Sequence, residues 1–101
     1  MKMKDKDRLL KVITENYNLA KNGCFLSNRE LAAYLAIEKF AEDGGDMKVE
    51  AISRLLSALV KKKEIRIIHF GGKKGKRIIL INKVSQKEIV KIFVEKHKKI
   101  T

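Results

Sequence analysis

Apolar positions near the start of the chain repeat with the period of an α-helix. In DKDRLLKVITENYNLAKNG, the residues three or four positions apart on one helical face are Leu9, Ile13, Tyr17 and Ala20. The pair Asn22-Gly23 that follows is a common helix terminator. We therefore predict a first helix over about 5–21. The next three residues, CFL, are too few for a helix and predict a short extended segment.

The sequence SNRE marks the start of a second helix. Ser27 can accept a hydrogen bond from the amide of Glu30 while the Glu30 carboxylate reaches back to the Ser27 amide, which is the capping-box arrangement. The leucines on either side of this box occupy the two positions of a hydrophobic staple. We predict that the helix begins at Asn28 and ends by Asp43-Gly44-Gly45.

A third helix is predicted from Asp46, its expected cap, to about Lys63. Six apolar residues fall within about a third of the helix circumference and should face the core: Val49, Ile52, Leu55, Leu56, Leu59 and Val60. The opposite face is made of small or mainly basic residues, namely Glu50, Arg54, Ser57, Ala58 and Lys61.

Two isoleucine-rich runs, EIRIIHF and KRIILIN, flank the turn signal GGKKG and predict a β-hairpin over about 65–82. The sequence VSQKE then repeats the capping pattern, with Ser85 and Glu88 as the box and Val84 and Ile89 as the staple. It predicts a last helix over about 86–98, whose apolar side carries Ile89, Ile92 and Phe93. The order α, short β, α, α, β, β, α predicts one α+β domain over residues 1–101.

Charge is distributed unevenly along the chain. The net charge is +12, but residues 1–47 hold 8 Lys/Arg and 8 Asp/Glu, whereas residues 48–101 hold 16 Lys/Arg and 4 Asp/Glu. The whole excess therefore lies in the C-terminal half. A neutral half beside a strongly basic half favours contact with a polyanion, with nucleic acid ahead of anionic membrane or acidic protein. The alternative is lysine scattered for solubility, which explains the total better than the asymmetry.

The loop sequence GGKKGK raises the question of a phosphate-binding P-loop. That motif needs a glycine, four residues, and then Gly-Lys-Ser/Thr opening a helix. Here Phe70 stands where the first glycine should be, Arg77 replaces the hydroxyl, and a strand follows. A nucleotide site of this type is excluded.

Catalytic and metal-binding patterns are not found either. His69 and His97 stand alone, Cys24 has no second cysteine, and the acidic residues near 43–50 lack the ligand rhythm of a calcium loop. We expect no catalytic residue, no metal and no cofactor. Cys24 lies in a short apolar stretch and should be a small core residue rather than a reactive thiol. With no membrane span and no signal peptide in the pattern, a cytoplasmic location is expected.

Two passages resemble the winged helix-turn-helix family of DNA-binding proteins. FLSNRELAAYL is similar to the start of the DNA-binding domains of phage and plasmid replication initiators, and ISRLLSALVKKKEIRII is similar to the passage from helix to strand in MarR-like regulators. The resemblance covers about 25–82. It implies a three-helix helix-turn-helix core, a two-stranded hairpin that forms the wing, and here an additional C-terminal helix. The connection through AIEKFAEDGGDMK departs from the family's short turn.

The resemblance also implies which residues touch DNA. In the family, the third helix lies in the major groove and the wing contacts the backbone or the minor groove. On the third helix this implies Lys48, Arg54, Ser57 and Lys61, with Arg54 able to read guanine through two hydrogen bonds. At the start of the second helix it implies a phosphate contact at Asn28 and Arg29. On the wing it implies Lys73, Lys74, Lys76 and Arg77.

These observations predict a non-catalytic protein that binds double-stranded DNA. Its use would be transcription regulation or DNA replication initiation at the origin of a phage or plasmid. A homodimer through the C-terminal helix, or packing of that helix on the first helix, are both open. The alternatives are a basic RNA- or ribosome-associated protein and a winged helix that binds another protein. We expect the six aromatic residues to occupy mainly core positions, which argues against stacking on unpaired RNA bases.

Overall fold

The computed structural model describes residues 3–71, 75–82 and 86–98. These residues form four helices and a two-stranded antiparallel hairpin, which are α1 (Asp5–Glu15), α2 (Asn28–Asp43), α3 (Val49–Lys61), β1 (Ile65–Phe70), β2 (Lys76–Ile81) and α4 (Gln86–Lys98). The predicted α+β class is confirmed. The predicted cap and staple of the last helix, at 84 and 85, lie outside the described residues.

The core lies where α1, α2 and α3 pack against one another and the base of the hairpin closes them. The residues without solvent exposure come from each of these elements: Leu9, Ile13, Cys24, Leu31, Leu35, Ile52, Leu59 and Ile79. α4 packs on α1 and buries Ile89. The buried apolar residues of α1, α2 and α3 point inward, and the polar face of α3 and one face of the hairpin are left toward solvent.

The first helix is shorter than predicted, since it ends at Glu15 rather than near residue 21. The Asn16 side chain donates to the Val12 carbonyl at 2.8 Å, and the Asn18 side chain accepts from the Lys21 amide at 3.0 Å. Asparagine side chains that bond the local backbone in this way compete with the helical ladder. Tyr17 is buried as predicted, but it lies beyond the helix, and Ala20 is exposed.

Asn22-Gly23, predicted as the helix terminator, instead belongs to a turn. Asn22 has a left-handed φ of 55°, and Gly23 pairs with Asn18 through backbone hydrogen bonds of 2.8 and 3.2 Å. A Cβ on Gly23 would clash with the Ile78 side chain, so glycine at this position lets the hairpin pack closely against the turn.

The short extended segment is present as a single bridge. The Cys24 amide donates to the Ile79 carbonyl and the Ile79 amide donates to the Cys24 carbonyl, both at 2.9 Å. This bridge extends the hairpin on the far side of β2. Cys24 is fully buried, which confirms it as a core residue, and burial raises the pKa of its thiol. A raised pKa keeps the thiol protonated at neutral pH and therefore unreactive.

The second helix has the predicted bounds and the predicted cap. The Glu30 amide donates to Ser27 Oγ, and the Ser27 amide donates to Glu30 Oε1, both at 3.1 Å. At the other end Gly44 has a φ of 73°, and its amide donates to the Phe40 carbonyl at 2.9 Å. Since α2 ends at Asp43 and α3 begins at Val49, residues 44–48 make a longer connection than the usual three- or four-residue turn.

The third helix differs from the prediction at both ends. It begins at Val49, with Lys48 rather than Asp46 before it and no side-chain cap, and it ends at Lys61 rather than near Lys63. Met47, in the segment before α3, is buried in the core. The apolar face is also narrower than predicted. Ile52, Leu56 and Leu59 are buried and Leu55 is half-buried, but Val49 and Val60 are exposed at its edges.

The hairpin and the last helix match the prediction. β1 and β2 pair in the register Ile65 with Ile81 through Phe70 with Lys76. α4 spans the predicted residues 86–98. No helix in the described part of the chain combines the length and the apolar character needed to cross a membrane.

Candidate nucleic-acid interface

A groove of about 460 Å³ runs between the exposed face of α3, the inner face of the hairpin and the first residue of α2. It brings together four of the residues implied by the family resemblance, Asn28, Ser57, Lys61 and Arg77. The remaining lining residues are Ser53, Leu56, Val60, Ile67 and His69. We call this surface the α3–hairpin groove.

Local geometry explains why these side chains converge. Ser53, Ser57 and Lys61 are spaced by four residues on α3, so they form one stripe along the helix. On the hairpin, His69 and Arg77 are directly opposite each other in the antiparallel register. Side chains alternate between the two faces of a strand, and His69 therefore shares the face of Ile67, which points toward α3.

The charged groups of the groove are all basic. Lys61 is exposed and Arg77 is half-buried, and no carboxylate is among the residues that line the groove. Burial lowers the pKa of the Arg77 guanidinium, but a guanidinium remains charged in proteins. Since nothing in the lining neutralises these cations, the groove presents positive charge to an approaching ligand.

Arg77 does not extend from the wing tip, contrary to the role that the family resemblance implies. Its Nη2 donates to the Leu26 carbonyl at 3.1 Å, which turns the side chain back toward the start of α2. A half-buried arginine held by a backbone carbonyl has less freedom to reach a phosphate beyond the hairpin. Arg77 therefore belongs to the floor of the groove.

The start of α2 borders the groove through Asn28. Its Nδ2 donates to Ser53 Oγ at 3.0 Å, which ties the first residue of α2 to the exposed face of α3. The capping box occupies the Glu30 amide, whereas the Asn28 and Arg29 amides have no partner among the described residues. Free amides at a helix N-terminus favour anions. The Arg29 side chain is exposed but does not line the groove.

Lys48 and Arg54 lie apart from the α3–hairpin groove. Both are exposed, and both line a separate hollow of about 300 Å³ at the start of α3. Three carboxylate residues line the same hollow, namely Asp5, Asp46 and Glu50. These acids weaken the local attraction for phosphate. The residues predicted as one contact surface on the third helix are therefore divided between two environments.

The tip of the hairpin is described only in part. Gly71 and Gly75 have left-handed φ values of 82° and 56°, which suits the turn chemistry expected for glycine. Lys76, the first residue of β2, is exposed. Lys73 and Lys74, the other predicted wing lysines, lie outside the described residues.

Three cations between α1 and α2 are paired with acids. Arg8 of α1 binds Glu42 of α2, Lys11 binds Glu38 at 2.7 Å, and Lys39 binds Asp5 at 3.1 Å. The neutrality of the N-terminal half in the sequence thus corresponds to ion pairs between α1 and α2. In the α3–hairpin groove, by contrast, the cations have no such partners in the lining.

The expected burial of the aromatic residues is wrong. Tyr17 is buried, but four of the described aromatic side chains are exposed, namely Phe25, Tyr34, Phe40 and Phe70. Phe70 ends β1 and is 46% exposed, and Phe25 is 40% exposed with Lys21 Nζ lying 5.7 Å from its ring centre. The sequence argument against stacking on unpaired bases therefore fails.

The sequence patterns did not single out two groove residues, Ser53 and His69. The signal for Ser53 was its spacing of four residues from Ser57, which places both hydroxyls on one stripe. Strand alternation places His69 on the same face as Ile65 and Ile67. Whether that face lies against α3 depends on how the hairpin folds back, which the sequence pattern does not specify. No group of three or more His, Cys, Asp or Glu side chains suited to a metal ion occurs among the described residues.

Comparison with known proteins gives no family assignment. No protein-family model matches the chain, and a search of curated proteins finds no significant match.

Proposed function

We propose that the chain is a winged-helix protein that binds double-stranded DNA without catalysis, through the α3–hairpin groove. In this arrangement α3 lies toward the major groove, the hairpin follows the phosphate backbone, and the start of α2 holds a phosphate at Asn28 and Arg29. Its role would be regulation of transcription or recognition of a replication origin of a phage or plasmid, as expected from the family resemblance.

The observation that carries the proposal is a groove lined by cations without a carboxylate, in a molecule whose cations between α1 and α2 are paired with acids. Lys61 and Arg77 are the charged residues in the lining. Ser53 and Ser57 have short side chains that project little from the exposed face of α3. Small side chains let a helix approach base edges, while the cations attract the backbone. Lys48 and Arg54 would contact DNA at the other end of α3, where nearby acids reduce their contribution.

The test compares two exposed lysines in these two environments. Lys61→Ala should weaken binding of a labelled mixed-sequence duplex by about tenfold or more, since a hydrogen bond to a charged group contributes roughly 1.5 to 3 kcal/mol. Lys48→Ala removes the same charge beside three carboxylates and should have a smaller effect. Fluorescence anisotropy at fixed salt measures both. Equal losses, or no loss with Lys61→Ala, would contradict the groove assignment.

A second candidate is binding of single-stranded RNA or DNA, which the exposure of Phe70 beside the basic hairpin favours. Stacking of a base on an aromatic ring contributes about 1 to 3 kcal/mol. Competition between duplex DNA and single-stranded RNA in the same anisotropy assay separates the two functions, and Phe70→Ala is the diagnostic variant. Preference for the single strand, abolished by Phe70→Ala, would replace duplex binding as the function.

A further inference from the structure

The outward face of α2 carries large apolar side chains in solvent. Ile37 is 68% exposed, Phe40 is 72% exposed and Tyr34 is 42% exposed. These residues are three positions apart, so they form one stripe on the side of the helix opposite the buried Leu31 and Leu35. We call it the α2 stripe. A contiguous apolar patch of this kind on a water-exposed face marks an interaction surface.

Charge distinguishes the α2 stripe from the rest of the molecule. α2 contains four acids and two cations, Arg29 in its first turn and the lysine at position 39, in a chain with 24 Lys/Arg and a net charge of +12. That lysine, Lys39, is paired with Asp5 at 3.1 Å. Glu38 and Glu42 are engaged with cations of α1. The part of α2 that follows Arg29 and carries the exposed apolar residues therefore has no unpaired cation.

The surface next to Phe40 is concave. A hollow of about 410 Å³ lies at the C-terminal end of α2, and its lining includes Ala36, Gly44 and Gly45. The glycines contribute no side chains, so the hollow is open next to an aromatic ring that projects outward. A projecting side chain and an adjacent hollow on one surface are what a self-complementary, two-fold contact needs.

We propose that two copies of this chain associate through the α2 stripe, with Phe40 of each copy entering the hollow beside Phe40 of the other. Two copies with a net charge of +12 repel each other, and this repulsion is smallest where the contacting faces carry no free cation. The α3–hairpin groove meets α2 only at Asn28, outside the α2 stripe, and stays accessible in such a pair. The association goes beyond the proposed function and does not require nucleic acid.

The expected strength follows from the size of the face. A helix of 16 residues is about 24 Å long, and one stripe of it covers less than the roughly 800 Å² per partner of a standard stable interface. The homodimer should therefore be reversible, with a dissociation constant in the micromolar range or weaker. Added salt should strengthen it, because screening reduces the repulsion between like-charged copies.

Sedimentation equilibrium of the full chain without nucleic acid is the test, from about 10 μM to about 1 mM protein. The average mass should rise from 11.6 kDa toward twice that value. Phe40→Glu should keep the protein monomeric over the same range. Phe70→Glu makes the same chemical change on the exposed face of the hairpin and should associate as the unmodified chain does. Thermal unfolding of both variants verifies that they remain folded.

Several outcomes would overturn the proposal. The unmodified chain could remain monomeric at the highest concentration, or Phe40→Glu could associate normally. Val94→Glu alters an exposed apolar residue of α4. If it abolished association while Phe40→Glu did not, the interface would lie on α4. Equal weakening by Phe40→Glu and Phe70→Glu would indicate unspecific apolar association. None of these results depends on nucleic-acid binding, so failure of one proposal is distinguishable from failure of the other.

Discussion

Glu30 illustrates how one side chain sets a boundary of the site. Its carboxylate accepts from the Ser27 amide at 3.1 Å, and these hydrogen bonds hold the pKa of Glu30 below its ordinary 4.5. The same capping box fixes the residue at which α2 begins, and so places Asn28 against Ser53 at the edge of the groove. A local sequence pattern thus positions a residue that is not part of the pattern.

The lowered pKa of Glu30 predicts a pH-dependent contribution to stability. A carboxyl group whose pKa is lower in the folded state stabilises the fold above its unfolded pKa, and this contribution is lost as the pH falls through the folded value. Glu30→Gln keeps an acceptor but removes the ionisation. Its melting temperature should therefore depend less on pH than that of the unmodified chain between about pH 5 and pH 3.

Thermal unfolding followed by circular dichroism over this pH range measures the effect. Glu50→Gln is the matched control, because Glu50 is an exposed first-turn glutamate of α3 without a described side-chain hydrogen bond. If the two variants flattened the pH profile equally, the capping box would not be the cause.

At the scale of elements, ion pairs join α1 to α2. Arg8 is 4% exposed, and its Nη2 donates both to Glu42 and to the Met3 carbonyl, the latter at 3.3 Å. Lys11 and Glu38 form a more exposed pair in the same interface. A buried guanidinium without its acid keeps the cost of leaving water but loses the compensating interaction. The Arg8–Glu42 pair should therefore contribute more to the stability of the fold than the Lys11–Glu38 pair.

Removal of the acid from the buried pair should destabilise the protein. Glu42→Ala should lower the free energy of unfolding by about 1 to 3 kcal/mol, whereas Glu38→Ala should cost less than about 1 kcal/mol. Arg8→Met added to Glu42→Ala should recover part of the stability, because the buried charge is then absent. Urea denaturation measures the four proteins. A double variant less stable than Glu42→Ala alone would show that Arg8 acts through packing.

At the scale of the whole molecule, the cations differ in whether a carboxylate lies beside them. Arg8, Lys11 and Lys39 lie beside carboxylates between α1 and α2, whereas Lys61 and Arg77 have no carboxylate among the residues that line the α3–hairpin groove. The sequence adds three lysines at 73, 74 and 76, between and beside the two strands. A polyanion that lies along the groove would displace counterions in proportion to the phosphates that the protein neutralises, which makes its affinity depend steeply on salt.

The salt dependence of nucleic-acid binding should show whether the wing lysines contact phosphate. Replacement of Lys73, Lys74 and Lys76 by alanine should reduce the slope of log affinity against log salt by roughly one unit for each phosphate that the wing no longer neutralises. The same removal of charge at Lys21, Lys87 and Lys91, which do not line the groove, should change the slope less. Anisotropy titrations over a salt series give both slopes. An unchanged slope in the wing variant would exclude the hairpin from the DNA interface.

Local patterns in the sequence determined most of the elements. The capping box at Ser27 and the hairpin around its glycine-rich turn follow from interactions within a few residues, and the bounds of α4 match those predicted from its sequence. The end of α1 did not follow, because the Asn16 and Asn18 side chains compete with the helical ladder more strongly than the apolar spacing suggests. Periodicity also determined the residues that point inward at the centre of each helix.

For side chains other than those at the centre of each helix, the tertiary structure alone decided which of them meet and which stay in solvent. The α3–hairpin groove exists because the hairpin folds back on α3, which no local pattern specifies, and Arg77 turns toward Leu26 for the same reason. Apolar spacing likewise does not reveal how many sides of a helix are covered. Phe40 and Ile37 are apolar in the sequence, but α2 has neighbours on its inner side and solvent on the other. Burial is a property of the packed elements, since it depends on surfaces brought together from distant parts of the chain.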